Sequence, residues 1–376
     1  MPKLLIVTTV ASTLRAFLLP YARHFAKKGW IVDALANGAE TDAIADGIFN
    51  RRYEAPFSRN PLDSRNFKGT GKMIRALVAE NGYDIVHVHT PVAAFVTRFA
   101  LRGLFSRPKV VYAAHGFHFY KGGACFRNAV IAALERLAGN WTDHTITINE
   151  EDYEAALTLK IAPKERLSLL PGIGLDLAYY SPSAVEADEG FRAGLGLKKD
   201  DKLFLMVGEF IPRKRHEDAL RALAETGRRD FHLAFAGAGP LEDNMKVLAE
   251  RLNVGPQAHF LGERDDVPFL MLASRAVLLP SSQEGLSRAV MEAICLGVPV
   301  LGANVRGIRD LVTTPERGTL FPVGKPAALA AAMLLSADTP HVQQPSPDPR
   351  WDIGNLLGEH EKIYARLLKE QNQEDV

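Results

Sequence analysis

Short apolar runs alternate with helix-length amphipathic stretches along this chain. The runs cover residues 4–8, 31–35, 85–88, 110–113 and 145–148, with amphipathic segments such as 15–28 and 71–80 between them. Runs this short and this continuously apolar predict parallel strands buried on both faces and joined by crossover helices. The alternation pauses at 170–176 and through the polar stretch 181–199. It restarts with runs at 203–207, 232–236, 258–261, 276–280 and 298–301. The pattern therefore predicts an α/β chain of two doubly wound domains, 1–172 and 201–345, with a linker at 173–200. Each domain should open a ligand crevice at the carboxyl ends of its strands, and the two should face each other across a cleft. Residues 337–350, rich in Pro, Ser and Asp, read as a loop, and 353–368 have helical periodicity within a terminal segment 346–376. The opening run, 3–9, reads as a buried first strand. It is short, two threonines follow, and no cleavage site appears, so a signal peptide is the weaker reading.

Composition changes this picture little. Hydrophobic residues make up 47% and charged residues 24% of 376, which excludes a disordered chain. No apolar run approaches the roughly 18 residues of a membrane span. The two cysteines, Cys125 and Cys295, are too few for a disulfide scaffold and lack metal-type spacing, which fits a reducing, cytoplasmic compartment. Charge is more informative. Residues 1–170 carry 22 Lys and Arg against 15 Asp and Glu, a balance of +7, which leaves −6 for the remainder of a chain with net charge +1. The first half should meet something anionic. Basic residues recur there from Arg15, Arg23, Lys27 and Lys28 to Arg51, Arg52, Arg59, Arg65, Lys68, Lys72 and Arg75. They are accompanied by apolar Phe17-Leu-Leu-Pro-Tyr21 and Phe57, so this segment is expected to meet an anionic membrane surface; the competing reading scatters these charges over solvated helix faces.

The sharpest chemical motif is Pro280-Ser-Ser-Gln-Glu284-Gly-Leu-Ser-Arg-Ala-Val-Met-Glu292-Ala-Ile-Cys-Leu-Gly-Val-Pro-Val300. It reads as strand, turn, helix, glycine stop and strand. Eight positions at helical rise span about 12 Å. That suits two carboxylates gripping the ends of an extended nucleoside diphosphate sugar, with the diphosphate on N–H groups from Gly285, Leu286, Ser287 and Arg288. The competing reading is one surface carboxylate and one helix-face carboxylate. Glu292, however, stands among Val290, Met291, Ala293 and Ile294, where an unpaired charge is costly.

The segment resembles the Glu-x7-Glu signature of retaining glycosyltransferases of the GT-B fold, family 4, with Glu284 and Glu292 as its two carboxylates. Further motifs follow in the family's order over nearly the whole chain. Gly208-Glu-Phe-Ile-Pro-Arg-Lys-Arg215 occupies the place of a phosphate cradle, and Lys214 matches the family's Lys. Glu209 stands where the family usually has Arg, which leaves Arg213 or Arg215 as substitutes. Ala236-Gly-Ala-Gly-Pro-Leu241 resembles the turn beside the nucleotide, through Gly237 and Gly239. Arg264 in Gly262-Glu-Arg-Asp-Asp266 flanks the place of the base. The competing reading there is ordinary turn chemistry, with Asp265 or Asp266 as a helix cap. His115 in Ala114-His-Gly matches a histidine near the transferred sugar, and His118, Phe119, Tyr120 and Lys121 resemble this loop in bacterial polysaccharide enzymes. Asn149 either ends a strand at the cleft or caps the helix from Glu150. Ser12 and Thr13, after the first strand, either donate to a phosphate or cap a helix from Leu14. His87 and His89, two apart on one strand face, read as structural.

The resemblance implies a retaining transferase that takes sugar from a nucleotide diphosphate sugar, UDP-linked, in capsule, exopolysaccharide or O-antigen assembly. The acceptor implied is a glycan on undecaprenyl diphosphate at the inner membrane face, with no metal or other cofactor and no nucleic acid partner. It also implies a C-terminal helix packing back on the first domain. A nucleotide-sugar epimerase or phosphorylase, and a nucleotide-sugar-binding protein without turnover, are the alternative readings.

Overall fold

In the computed structural model, residues 1–42, 46–104, 106–120, 122–185, 189–339 and 345–374 are described. The chain divides into two units, one formed by Met1–Ile173 with Gly354–Val376, the other by Gly174–Ile353.

The first unit is a parallel sheet of seven strands: β1 (Lys3–Val10), β2 (Ile31–Asn37), β3 (Arg52–Glu54), β4 (Ile85–His89), β5 (Lys109–Ala114), β6 (His144–Thr147) and β7 (Leu167–Leu169). Their spatial order is β3-β2-β1-β4-β5-β6-β7. The second unit has six: β8 (Lys202–Val207), β9 (Phe231–Ala236), β10 (Ala258–Phe260), β11 (Ala276–Leu279), β12 (Val300–Ala303) and β13 (Gly318–Phe321), ordered β10-β9-β8-β11-β12-β13. Every ladder is parallel, which requires crossovers and buries the central strands on both sides. Strand order reverses between β1 and β4 and again between β8 and β11. Crevices open beside such switch points. Apolar positions such as Leu205, Val277 and Val300 pack on one face of the second sheet, and Phe204, Leu233 and Leu278 on the other.

The apolar pattern located the central strands but missed β3, β7 and β13. These are three or four residues long, lie toward sheet edges and are only partly buried, so they carry no continuous apolar run. The segment placed at 15–28 is a wide π-type turn, Leu14–Leu18, followed by the helix Leu19–Lys27 with Pro20 at its start. Thr13 has helical dihedrals and makes no cap bond there, contrary to the capping expectation. Residues 174–200, expected as a linker, belong to the second unit. Leu175, Tyr180 and Leu197 are buried in its core, and the Leu175 N–H donates to Trp351.

The long helix Ile353–Glu374 closes the first unit. The Tyr364 hydroxyl bonds His87 Nδ1 at 2.6 Å, its ring packs 4.9 Å from Phe25, and Glu361 pairs with His24 and Lys28. Elsewhere in this unit, fully buried Arg98 on the helix Pro91–Leu101 pairs with Glu135 on the helix Cys125–Gly139 at 2.9 Å. The Arg98 guanidinium lies 4.0 Å from the Tyr112 ring centre.

Four of the apolar residues expected to accompany the basic segment toward a membrane are core residues instead, while Phe17 is half-buried and Pro20 exposed. Leu18, Leu19, Tyr21 and Phe57 are buried. Several of the cations are paired as well, Arg52 with Asp46 and Arg65 with Asp63.

Candidate active site

In the second unit, the carboxyl ends of β8, β9, β11 and β12 bring distant residues together. The chain leaves β8 at Gly208 and passes through one tight turn, Pro212–Lys214. Arg215 then adopts a left-handed conformation (φ 55°), which swings the chain into the helix His216–Thr226. This backbone reversal separates the three cations. The Lys214 Nζ lies 2.8 Å from Glu284 Oε1, and Arg213 lies 2.9 Å from Glu284 Oε2. Arg215 instead forks onto Asp218, with Nη2 at 2.9 Å from Oδ1. Of the two candidates to replace the missing Arg, only Arg213 reaches Glu284. Glu209 itself is exposed.

Gly208 leaves room for this arrangement, since a Cβ there would stand 3.3 Å from Lys214 Cε. Gly237 and Gly239 act on the same loop from β9. A Cβ on Gly237 would meet the Gly208 carbonyl at 2.2 Å, and one on Gly239 would meet Phe210 N at 2.6 Å. The two loops are laced together by Gly208 N–H to Ala236 and Phe210 N–H to Ala238. These glycines therefore fix the loop that carries Lys214.

Glu284 is buried. Burial pushes its carboxyl up, but Lys214 and Arg213 outweigh that and hold it below the usual carboxylate range. It is an ionised acceptor between two cations.

Glu292 lies on the helix Arg288–Cys295 and is also buried. Arg288, one turn earlier on the same helix, donates to it from Nε at 2.8 Å. Arg288 also approaches the Tyr180 hydroxyl at 3.4 Å. The apolar neighbours therefore do not leave an orphan charge, which corrects the argument made from them. Burial raises the Glu292 carboxyl, with Arg288 and Tyr180 drawing it back only in part. The Ser287 N–H, expected to await a phosphate, already donates to the Gly307 carbonyl at 3.1 Å. Leu286 packs against the core. Buried Arg306, after β12, donates to the Glu284 carbonyl at 3.3 Å, a contact that no motif announced. Arg264 is exposed and pairs with Asp266 at 2.8 Å; Asp266 makes no side-chain cap to the helix it precedes, contrary to the capping alternative.

In the first unit, His115 follows β5. Its Nε2 lies 2.9 Å from His89 Nδ1, and the His89 ring centre in turn lies 4.0 Å from that of His87, the rings tilted by 41°. Burial, then His360, lowers the His115 imidazole to about 4, so it is neutral near pH 7. Asn149 takes the cap role: its Oδ1 accepts from the Asp152 N–H at 2.8 Å and its amide donates to Asp152 at 2.9 Å. Asp152 also accepts from the Phe117 N–H, tying this cap to the His115 loop. His118 is exposed, Phe119 stacks on Phe117, and the Tyr120 carbonyl accepts from Asn128. Lys121 lies outside the described residues. Ser12 and Thr13 sit half-buried in one helical turn after β1.

Two family models match this chain, "Glycosyltransferase Family 4" over residues 17–173 and "Glycosyl transferases group 1" over 188–342. A Bacillus subtilis protein carrying the glycosyltransferase name EpsD is 31% identical over 331 residues, covering 87% of this chain and 85% of that one. The chain belongs to glycosyltransferase family 4. This glycosyltransferase is also 28% identical, over 308 residues, to an Escherichia coli UDP-Gal:α-D-GlcNAc-diphosphoundecaprenol α-1,3-galactosyltransferase, with 80% of this chain and 78% of that one covered. Its fold is GT-B. The Anabaena HepE structure in complex with UDP and glucose superposes with a TM-score of 0.76 at 19% identity, covering 97% of this chain and all of that one. His115 falls in the first matched segment, and Lys214, Glu284 and Glu292 in the second.

Proposed function

We propose that this glycosyltransferase moves a sugar from a UDP-sugar, with retention of configuration, onto a glycan carried by a lipid diphosphate at a membrane face. The observation that carries the reading is the pairing of buried Glu284 with Lys214 and Arg213 at the ends of β11 and β8. Two cations around one carboxylate leave a net positive pocket, to which a diphosphate is the fitting anion. Glu284 accepts hydroxyls of the sugar. Glu292, set in place by Arg288 and Tyr180, accepts the ribose hydroxyls. The uridine and lipid-diphosphate assignments draw on the names of the E. coli relative and of the HepE complex.

As the glycosidic bond breaks, negative charge gathers on the departing diphosphate, and preorganised Lys214 and Arg213 stabilise it. In line with the family, substitution proceeds on the front face, without a covalent enzyme intermediate. The new bond forms on the side the diphosphate leaves, and the acceptor proton passes to a phosphate oxygen. His115, neutral and held by His89, is the polar group that the first unit offers to a sugar hydroxyl.

The test is incubation with UDP-glucose, UDP-galactose and UDP-N-acetylglucosamine, with and without a polyprenyl-diphosphate-linked sugar, following UDP release and the anomeric configuration of the product by NMR. Acceptor-dependent UDP release and a retained anomer are expected. An inverted anomer, or no release with any donor, overturns the reading.

A further inference from the structure

The helix Cys125–Gly139 carries two faces. Its inner face is fixed: Glu135 is buried on Arg98, Ala138 is buried, and Ile131 and Ala132 pack on the core of the first unit. Its outer face is apolar and bare. Phe126 is 84% exposed, Val130 44%, Leu134 43% and Leu137 47%. At about 100° per residue, these four side chains fall within an arc of about 80°. A soluble domain rarely leaves such a stripe open without a partner.

The charges around the stripe say what kind of partner. Arg127 and Arg136 flank it on either side and are exposed, while the helix's one acid is buried with Arg98. Beyond its C-terminus, Arg102 lies over the partly exposed Phe99 ring at 3.3 Å and 5.6 Å from the Trp141 ring centre. On the Arg136 side, a groove of about 620 Å³ runs to Leu159 and Lys160. Apolar and aromatic side chains rimmed by cations match an interface whose depth is apolar and whose surface is anionic. A second copy of the same face fits poorly, because a two-fold contact sets cations against cations.

We propose that this helix is the face by which the glycosyltransferase seats on an anionic lipid surface. The stripe enters the boundary between headgroups and acyl chains, and Arg127, Arg136, Arg102 and Lys160 meet the phosphates. The seat lies on this helix rather than on the basic segment 15–75, where Leu18, Leu19, Tyr21 and Phe57 are core and the exposed Leu62 and Phe67 lie on turns, not on a helix face. It deepens the lipid-linked-acceptor reading and rests on that reading only for its purpose.

The experiment uses the full chain with vesicles of phosphatidylcholine alone and of phosphatidylcholine mixed with phosphatidylglycerol. Wild type is expected to cosediment with the anionic vesicles, less so as salt rises. The triple variant Phe126→Ser, Leu134→Ser, Leu137→Ser should stay in solution. Arg127→Glu with Arg136→Glu should lower partitioning by roughly thirtyfold, given about fivefold for each cation lost and added repulsion. Thermal midpoint and UDP affinity should stay at wild-type values in both, which separates a lost surface from a lost fold. The proposal is overturned if wild type ignores anionic vesicles, or if the variants bind as wild type does. It is also overturned if, without lipid, wild-type mass rises with protein concentration and the triple variant's does not, because the stripe then seats a second copy. Transfer to a detergent-solubilised acceptor without vesicle binding sinks the seat alone. Vesicle binding without any transfer sinks the acceptor reading alone.

Discussion

Lys214 and Arg215 are neighbours in sequence with different tasks, because one left-handed residue turns their side chains apart. Lys214→Ala should lower kcat/KM by about 10²–10³-fold, the range for loss of one preorganised donor to a transition state. Arg215→Ala, which breaks only the fork to Asp218, should change it far less; steady-state UDP release decides between them. Gly208→Ala should mimic part of the Lys214 loss while leaving the cation in place, since the new methyl crowds the lysine stem at 3.3 Å. Wild-type kinetics in that variant would show that the stem has another path. The strand, turn and helix that carry Glu284 and Glu292 were legible in the sequence because they follow in close succession. Arg288, Arg306 and the His89–His115 contact were not. Each depends on which side chain a fold turns toward another, and spacing does not encode that.

At the scale of elements, the helices were legible where periodicity ran long, as in Thr70–Asn81 and Ile353–Glu374. The wide turn before Pro20 was not, because its side chains keep a helical pattern while its backbone does not. The helix Cys125–Gly139 carries apolar side chains on both faces, so its pattern does not say which face is inward. What holds it is the Arg98–Glu135 pair. Glu135→Ala leaves a buried guanidinium without its carboxylate and should cost about 3–5 kcal/mol in urea unfolding. A loss below about 1 kcal/mol would mean that Tyr112 and Thr142 suffice for Arg98.

For the molecule as a whole, the two-sheet architecture was legible because parallel sheets write continuous apolar runs. The polar stretch after residue 174 read as a linker because it hides the few apolar anchors that join it to the second unit. The first unit also carries a titrating core. Burial brings His115, His144 and His360 to about 4, and it also holds His87 and His89 well below the ordinary value. In the unfolded chain they titrate near 6.5. Below that pH the unfolded state binds protons that the folded state refuses, so stability falls as pH drops from about 6.5 toward 4. Urea midpoints should therefore be lower at about pH 5 than at about pH 7; equal midpoints would mean that these rings are not buried and neutral.

On the proposed reading the second unit binds a nucleoside diphosphate in parts, with Lys214 on the diphosphate and Glu292 on the ribose. Calorimetric titration of wild type, Lys214→Ala and Glu292→Ala with UDP and with uridine tests it most directly. Lys214→Ala should weaken UDP and leave uridine unchanged. Glu292→Ala should weaken both, by about 1.5–3 kcal/mol for the lost charge-assisted bonds. If folded Glu292→Ala binds both ligands as wild type does, or Lys214→Ala loses nothing for UDP, the donor site is not where this account puts it.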